Sequence, residues 1–380
     1  GHVPKELCHS HYTALTVKNA LVDKVRELRD DRPNVDLVDP DVPLVAVLRG
    51  IGGRYINDHE FDENGGRTGV EVTLYRILHS GGSLHRRGYR ASSESAGKIH
   101  KAAMKESLAA GLLLESGWDL LVNAAKKDGL PAVFVDPMAG SGTLSVEAAM
   151  IASDLAPGLM RMKCYNKIQR KSPTETTCNP HQQPPAIRWK DADTEQWKSL
   201  IAECEDLAGK GLDWMLNKNT IYHEKTNCII LANELYSSSV DLALLNIDNA
   251  GFSNFISVHE GDCKSWDLGG GHDDGTTGEA LTDRAVIPGR TIIGTNPPWG
   301  LRLTEDVEDS WYALNVFFRR ECNSAEAWVL SGSKAATRTL RMKMTRKIPI
   351  KTADEDLRWI QYHVFKKKVA TVDSSGGEEM

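Results

Sequence analysis

The sequence of 380 residues contains no apolar run long enough to cross a membrane. Runs such as Leu108–Leu114 end after seven residues, whereas a membrane-spanning helix needs about 20. The seven cysteines are scattered and form no Cys-x-x-Cys pair, which excludes a disulfide-rich scaffold and favours a reducing compartment. We expect that compartment to be the cytoplasm. Three residues of the types that bind metals lie close together at Cys8, His9 and His11. No second pair follows at a spacing typical of zinc sites, so we expect no metal.

An excess of positive charge is also absent, because 46 basic residues face 52 acidic ones and the net charge is −6. That average disfavours a nucleic-acid partner, yet the charge is unevenly distributed. Residues 160–171 carry five basic and no acidic side chains, and residues 338–368 carry ten basic against three acidic. Residues 248–283 instead carry eight acidic and one basic side chain. We therefore expect the two basic segments, but not the acidic one, to face phosphates.

The first 82 residues have the pattern of a small α+β unit. Apolar residues at helical spacing predict a helix over Val17–Arg29. Two short apolar segments, Leu44–Leu48 and Val70–Leu78, predict strands. The polar, basic segment 83–97 is typical of a linker, and a helix is expected over Lys98–Leu114.

From Ala132 onward, short apolar strands alternate with helices, which predicts a Rossmann-like α/β domain with an open, mostly parallel sheet over residues 98–370. Two polar segments, 163–185 and 267–290, interrupt the alternation and predict surface insertions, and residues 371–380 form a polar tail. The expected strands are Ala132–Val135, Cys228–Ala232, Ile256–His259, Thr291–Gly294, Ala327–Leu330, and a final pair near Thr345–Ile350 and Ile360–Phe365.

A glycine-rich turn follows the first of these strands. Asp136-Pro137 ends the strand, and Gly140 and Gly142 allow a tight reversal into a helix. An ordinary strand-to-helix turn or a dinucleotide site could have this pattern, whereas a P-loop is excluded because no Gly-Lys-Ser/Thr follows. An acidic residue before the glycines suits a ligand with a cationic amino-acid group, which indicates S-adenosylmethionine. The turn residues expected to bind it are Asp136, Pro137, Gly140, Ser141, Gly142 and Thr143.

The cofactor's ribose and adenine need partners at the ends of the next strands. Glu234 ends the second strand, although it lies 98 residues after Asp136, and Asp154 is the nearer competitor. At the end of the third strand, Asp262 could accept from the adenine amino group and Cys263 could pack beside the ring. A solvated strand end without a ligand is the alternative there.

The tetrapeptide Asn296-Pro297-Pro298-Trp299 ends a further strand. Two prolines cannot extend a central strand, so they form a rigid turn at the edge where open α/β sheets bind ligands. The Asn296 side-chain oxygen and the Pro297 carbonyl could accept the two hydrogens of a planar exocyclic amine, on which Trp299 would stack. We assign all four residues to catalysis and Asn296 also to the cofactor site, against the alternative of a structural turn with a core tryptophan.

These motifs carry a family resemblance. DPMAGSGTLSVEAAMIASDLAPGL (Asp136–Leu159), TNPPWGLRL (Thr295–Leu303) and SLHRRGYR (Ser83–Arg90) resemble the class I methyltransferases that follow a THUMP domain, and Val17–Leu48 resembles the carboxyl-terminal part of THUMP itself. The family tetrapeptide is usually Asn-Pro-Pro-Tyr, so Trp299 is a departure.

The resemblance implies an S-adenosylmethionine-dependent enzyme that methylates guanosine N2 in structured RNA, either tRNA or rRNA. A small activator subunit accompanies some relatives; otherwise we expect a monomer. An adenine-N6 methyltransferase and a non-catalytic RNA-binding scaffold are the alternatives. The residues expected to contact RNA are Arg86, Arg87, Arg90, Arg161, Lys163, Arg341 and Lys343.

Overall fold

The computed structural model describes residues 7–36, 40–51, 69–78, 86–90, 104–160, 184–216, 227–268, 286–298, 307–322, 325–351 and 356–364. The chain divides into two compact units, which we describe separately. One comprises Gly1–Gly82 with Thr176–Ser199, and the other comprises Ser83–Glu175 with Leu200–Met380. Thr176–Ser199 thus groups with the amino-terminal unit, while most of the insertion expected over residues 163–185 lies outside the described residues.

The amino-terminal unit contains one long helix and a two-stranded antiparallel sheet. The helix begins earlier than its apolar spacing predicts, because the His9 ring accepts a hydrogen bond from the Tyr12 amide (3.2 Å) and caps the first turn. Trp189, from the segment that returns to this unit, donates to the Asp41 carbonyl (2.7 Å) and lies 4.4 Å beneath the Arg76 guanidinium. The elements are α1 (Ser10–Arg29), β1 (Leu44–Ile51) and β2 (Gly69–Arg76).

The second unit is built on a seven-stranded sheet, which confirms the predicted α/β class. The strands are β3 (Ala132–Asp136), β4 (Cys228–Glu234), β5 (Ile256–Glu260), β6 (Thr291–Thr295), β7 (Glu326–Ser331), β8 (Met344–Lys351) and β9 (Asp356–His363). Their order is β5-β4-β3-β6-β7-β9-β8. Strands β3 to β7 are parallel, and β9 is antiparallel to both of its neighbours.

Helices cover both faces of this sheet and form two apolar cores. One core contains Phe134 and Trp359, and the other contains Val133 and Phe317. The central strands β3 and β6 are buried along their whole length and are mostly apolar, whereas the edge strand β5 is largely exposed. The helices are α2 (Glu106–Glu115), α3 (Trp118–Asp128), α4 (Thr143–Ala152), α5 (Thr194–Met215), α6 (Ser237–Ala250), α7 (Val307–Glu321) and α8 (Lys334–Thr339).

Two boundaries differ from the sequence-based expectation. Residues 86–90, assigned above to a linker, pack into the second unit: the Tyr89 side chain is fully buried, and its carbonyl accepts from the Asn249 side chain (3.0 Å). The second insertion was expected over residues 267–290. Both ends of that range contribute to the second apolar core, because Leu268 and Val286 are buried there. Residues 161–183, 269–285 and 365–380 lie outside the described residues.

Candidate active site

The strand order places a crevice between β3 and β6. The chain adds β4 and β5 on one side of β3, and then β6 and β7 on the other. At such a reversal the connections leave toward opposite faces, so ligands of open α/β sheets bind there, beyond the carboxyl ends of the strands. Asp136 ends β3 and Asn296 directly follows β6. The fold thus brings together two predicted motifs that are 160 positions apart in the sequence.

Asp136 is a buried acid at this crevice. Its Oδ1 accepts from the Met138 amide (3.2 Å). Burial raises the pKa of Asp136 to about 7, the hydroxyl of Thr295 and the Met138 amide act to lower it, and the charge of Glu234 raises it further. No basic side chain contributes to this balance within the described part of the chain. A buried carboxyl that lacks a cation suits a ligand that brings its own positive charge, such as an ammonium group.

The glycine turn leaves space at the crevice and packs closely behind it. Gly140 (φ +55°) and Gly142 (φ +75°) both have left-handed backbone angles. A Cβ added at Gly140 would meet nothing within 4 Å, whereas one at Gly142 would lie 3.3 Å from the Ala243 Cβ. The Ser141 carbonyl accepts from the Asn246 side chain (2.9 Å). The turn therefore rests on α6 while its other side is open to a ligand, and Thr143 begins α4.

Glu234 lies beside this turn at the end of β4. Its Oε2 accepts from the Gly140 amide (2.8 Å), and its Oε1 accepts from the Tyr236 amide (3.2 Å). The competing acid, Asp154, follows the opposite end of α4 and pairs with Lys126 (2.6 Å). The geometry therefore favours Glu234 over Asp154 as the second acidic residue of the site.

Asp262 and Cys263 follow β5, beside Glu234. The Asp262 carboxylate caps its own turn by accepting from the Lys264 amide (2.9 Å), and it pairs with the Lys264 Nζ (3.0 Å). The Cys263 thiol is buried; burial, more than the nearby Asp262 charge, raises its pKa to about 12. Cys263 therefore stays neutral at physiological pH, as an apolar contact for a ring requires.

Asn233 joins two loops of the site, and its residue type alone did not indicate this role. Its side-chain amide donates to the Pro137 carbonyl (3.1 Å) and to the Gly261 carbonyl (3.0 Å). Its side-chain oxygen contacts the His259 Nδ1 (2.7 Å), and its own carbonyl accepts from the Ala139 amide (2.8 Å). One buried amide thus connects the glycine turn with the loop that follows β5.

A tryptophan that the sequence pattern did not single out supports the proline turn. The Trp311 indole, fully buried on α7, donates to the Pro298 carbonyl (2.7 Å). Pro297 is buried, and Asn296 is partly exposed at the end of β6. Trp299 lies outside the described residues. The described part of the turn is therefore held from behind, with Asn296 at the crevice.

Comparison with protein families agrees with this geometry. Residues 88–361 match the model of the RMKL-like methyltransferase domain, and residues 4–50 match the THUMP domain. The chain belongs to the RMKL-like methyltransferase family. Its fold is thus a methyltransferase domain that follows THUMP sequence, as the motifs predicted, and its cofactor is S-adenosylmethionine.

Curated relatives of this RMKL-like chain include the ribosomal RNA large subunit methyltransferases K/L of Magnetococcus marinus and Desulfotalea psychrophila. The first is 30% identical over 79% of the chain and 31% of the relative. The second is 32% identical over 78% of the chain and 30% of the relative. The chain therefore spans about a third of the length of these relatives.

Solved structures share the fold of this RMKL-like domain. A crystal structure of a possible methylase from Clostridium difficile 630 matches with a TM-score of 0.58 and 22% identity, over 92% of this chain and 69% of that one. SMU.472, solved in complex with SAH, matches with a TM-score of 0.50 and 19% identity, over 79% of this chain and 59% of that one.

The described residues that were expected to contact RNA differ in their exposure to solvent. The expectation is wrong for Arg87, which is buried and pairs with Glu147 (3.4 Å), because its charge is needed beside an interior carboxylate. Arg90 is half-buried and donates to the Thr143 hydroxyl at the start of α4 (2.7 Å). The exposed residues of the predicted set are Arg86, Arg341 and Lys343. The two that lie outside the described residues are Arg161 and Lys163.

The described residues contain neither a three-residue metal cluster nor a helix that could span a membrane. Within the ranges that the structure describes, no three His, Cys, Asp or Glu side chains are placed to share a metal ion. Cys164, Cys178 and His181 fall outside those ranges. None of the described helices combines the length and the apolar character needed to span a membrane.

Proposed function

We propose that this chain methylates the exocyclic N2 amine of a guanosine in RNA, with S-adenosylmethionine as the methyl donor. One observation carries the proposal: Asp136 ends, and Asn296 follows, two directly paired parallel strands in which Val135 lies opposite Ile293. A cofactor held at the β3 turn and an amine held at the β6 turn would therefore meet in one crevice. The names of the curated relatives favour ribosomal RNA as the substrate class.

The residues at the crevice fit the cofactor's groups. The Asp136 carboxylate would hold its ammonium group, and the open space at Gly140 would admit it beside the free amides that begin α4. Glu234 already accepts from the Gly140 amide, and its remaining lone pairs would accept from ribose hydroxyls. Asp262 and Cys263 would line the adenine. When bound, the cofactor supplies an electrophilic methyl group on a sulfonium.

The Asn296 turn would orient the acceptor amine. The lone pair of a guanine N2 amine is delocalised into the ring, so the amine is a weak nucleophile. The Asn296 side-chain oxygen and the Pro297 carbonyl would accept its two hydrogens and direct the lone pair toward the methyl group. The contact between the Trp311 indole and the Pro298 carbonyl (2.7 Å) keeps this turn in place. The target base would have to leave its stack to reach the turn.

The proposal is tested by product identity. Large-subunit ribosomal RNA is incubated with the chain and methyl-labelled cofactor, and the RNA is digested to nucleosides. We expect N2-methylguanosine, and N6-methyladenosine would instead support the alternative enzyme. Asn296→Ala is expected to abolish turnover while cofactor affinity by calorimetry stays unchanged. Asn123→Ala, at an exposed position of α3, is the matched control and keeps full activity. Failure of the unaltered chain to bind cofactor would support the scaffold reading.

A further inference from the structure

The edge of the large sheet has one uncovered face. Strand β8 is the outermost strand and pairs only with β9. Ile348 lies opposite Trp359 and packs against the first apolar core. Lys347 lies opposite Ile360, which belongs to the second core, so Lys347 lies on the other face of the strand. The exposed residues of β8 on that second face are Lys347, Pro349 and Lys351, and also Met344, which a register shift before Arg346 places opposite Tyr362 of the second core.

Helix α8 lies on the same side of the sheet, because Ala336 and Leu340 are buried in the second core. The helix, the turn that follows it and the uncovered face of β8 together carry six exposed basic residues and no acidic residue from position 334 to 351. We refer to this surface as the basic face, and it consists of Lys334, Arg338, Arg341, Lys343, Lys347 and Lys351.

The charges of the basic face are not neutralised within the part of the chain that the structure describes, since none of the six residues forms an ion pair there. Arg346 differs: it lies on the opposite face, 5.9 Å from the Trp328 ring, and pairs with Glu115. The nearest acid by strand register is Asp356, opposite Lys351. A row of like charges without internal partners is repulsive by itself, and an anionic partner would relieve that repulsion.

The basic face begins at the edge of the sheet that holds the candidate site. Strands β7 and β8 are both antiparallel to β9, so they run in the same direction. Lys351 at the end of β8, and Lys334 just after β7, therefore lie toward the edge where Asn296 follows β6. Lys343 lies at the opposite end, about 23 Å away along the strand. The basic face thus extends away from the site over a length that could follow several phosphates of a nucleic acid.

We propose that the basic face binds the phosphate backbone of the RNA substrate beside the target nucleotide. The proposal rests on the proposed function and adds the path that the RNA takes from the crevice. Pro349 separates Lys347 from Lys351 on β8, and Met344 at the start of the strand is the one large exposed apolar side chain that β8 presents on this face. Six cations with a single exposed methionine from β8 beside them suit a phosphate backbone, which is recognised by charge and not by base identity, better than a lipid layer, which needs several apolar anchors.

The test measures how salt weakens RNA binding by the Lys347→Gln/Lys351→Gln variant. The dissociation constant for a transcript of a large-subunit ribosomal RNA domain is measured at several KCl concentrations. Each lost phosphate contact lowers the slope of log K against log salt by about 0.7 to 0.9. We therefore expect a slope smaller by about 1.5 and an affinity lower by roughly tenfold or more at ~0.1 M salt. The control is Lys127→Gln/Lys210→Gln, which removes two exposed lysines from α3 and α5.

Further outcomes separate the two proposals. At saturating RNA, the double variant is expected to keep its turnover number and to form the same methylated nucleoside, because the two lysines do not touch the reacting groups. An unchanged salt slope, or an equal loss in the control variant, would overturn the basic face as the RNA path. The assignment would also be overturned if the double variant lost binding to phosphatidylserine vesicles while its RNA affinity stayed unchanged. If RNA affinity falls as expected but no N2-methylguanosine forms with any variant, the proposed function fails and the basic face remains.

Discussion

The raised pKa of Asp136 predicts that cofactor affinity depends on pH. The carboxyl is protonated below about pH 7 because burial disfavours its charge, whereas an ammonium group binds the charged form. Between pH 5.5 and 7.5 the charged fraction rises from about 3% to about 75%, so the affinity should rise by roughly 25-fold. The window stops at pH 7.5 because an α-amino group itself loses its proton near pH 8.

Calorimetry with S-adenosylhomocysteine, which retains the amino-acid group, measures this dependence directly. Asp136→Asn should bind more weakly and lose the pH dependence. Burial also raises the pKa of Glu147 to about 7, although Arg87 opposes the shift, so Glu147→Gln serves as the control and should keep the unaltered pH profile. A flat profile in the unaltered chain, or the same slope in Asp136→Asn, would refute the assignment of Asp136 to the ammonium group.

The same group links stability to pH. A raised pKa means that the folded state binds a proton that the unfolded state has lost between about pH 4 and 7, so the free energy of unfolding decreases as pH rises through this window. Asp136→Asn should remove that loss, and be more stable than the unaltered chain at pH 8 by up to roughly 4 kcal/mol. Urea denaturation at pH 5 and pH 8 measures the difference, and an equal effect at both values would contradict it.

Other substitutions test the supports of the site. Gly142→Ala should lower the free energy of unfolding by about 1–2 kcal/mol, because of its left-handed backbone angle and the 3.3 Å approach to Ala243; a thermal melt that is unchanged would contradict this. Asn233→Ala should raise the KM for cofactor more than it lowers kcat, since the amide joins loops expected to line the cofactor; the reverse pattern would count against that role. Trp311→Phe removes the donor to the Pro298 carbonyl and should lower kcat at unchanged cofactor affinity, as steady-state kinetics would show.

The order of local elements follows from short-range patterns. Short apolar runs such as Ala132–Val135 predict strands that are buried on both faces, where polar and apolar residues do not alternate. The observed strand is one residue longer than this run and ends at Asp136. Gly140 and Gly142 mark a turn because few other residues adopt their backbone angles. Asn296-Pro297-Pro298 ends a strand because proline cannot donate to a sheet. These properties belong to single residues and their neighbours, so they are visible in the sequence.

Long-range contacts are not visible in this way, because they depend on which elements the fold places side by side. The sequence by itself determined the α/β class, the glycine turn and the proline turn of this protein. Only the tertiary structure decided that Glu234 contacts the glycine turn while Asp154 does not, that Asn233 joins two loops, and that Arg87 forms an interior ion pair and not a surface contact. The same holds for Lys347, whose side of the sheet is set by the register between β8 and β9.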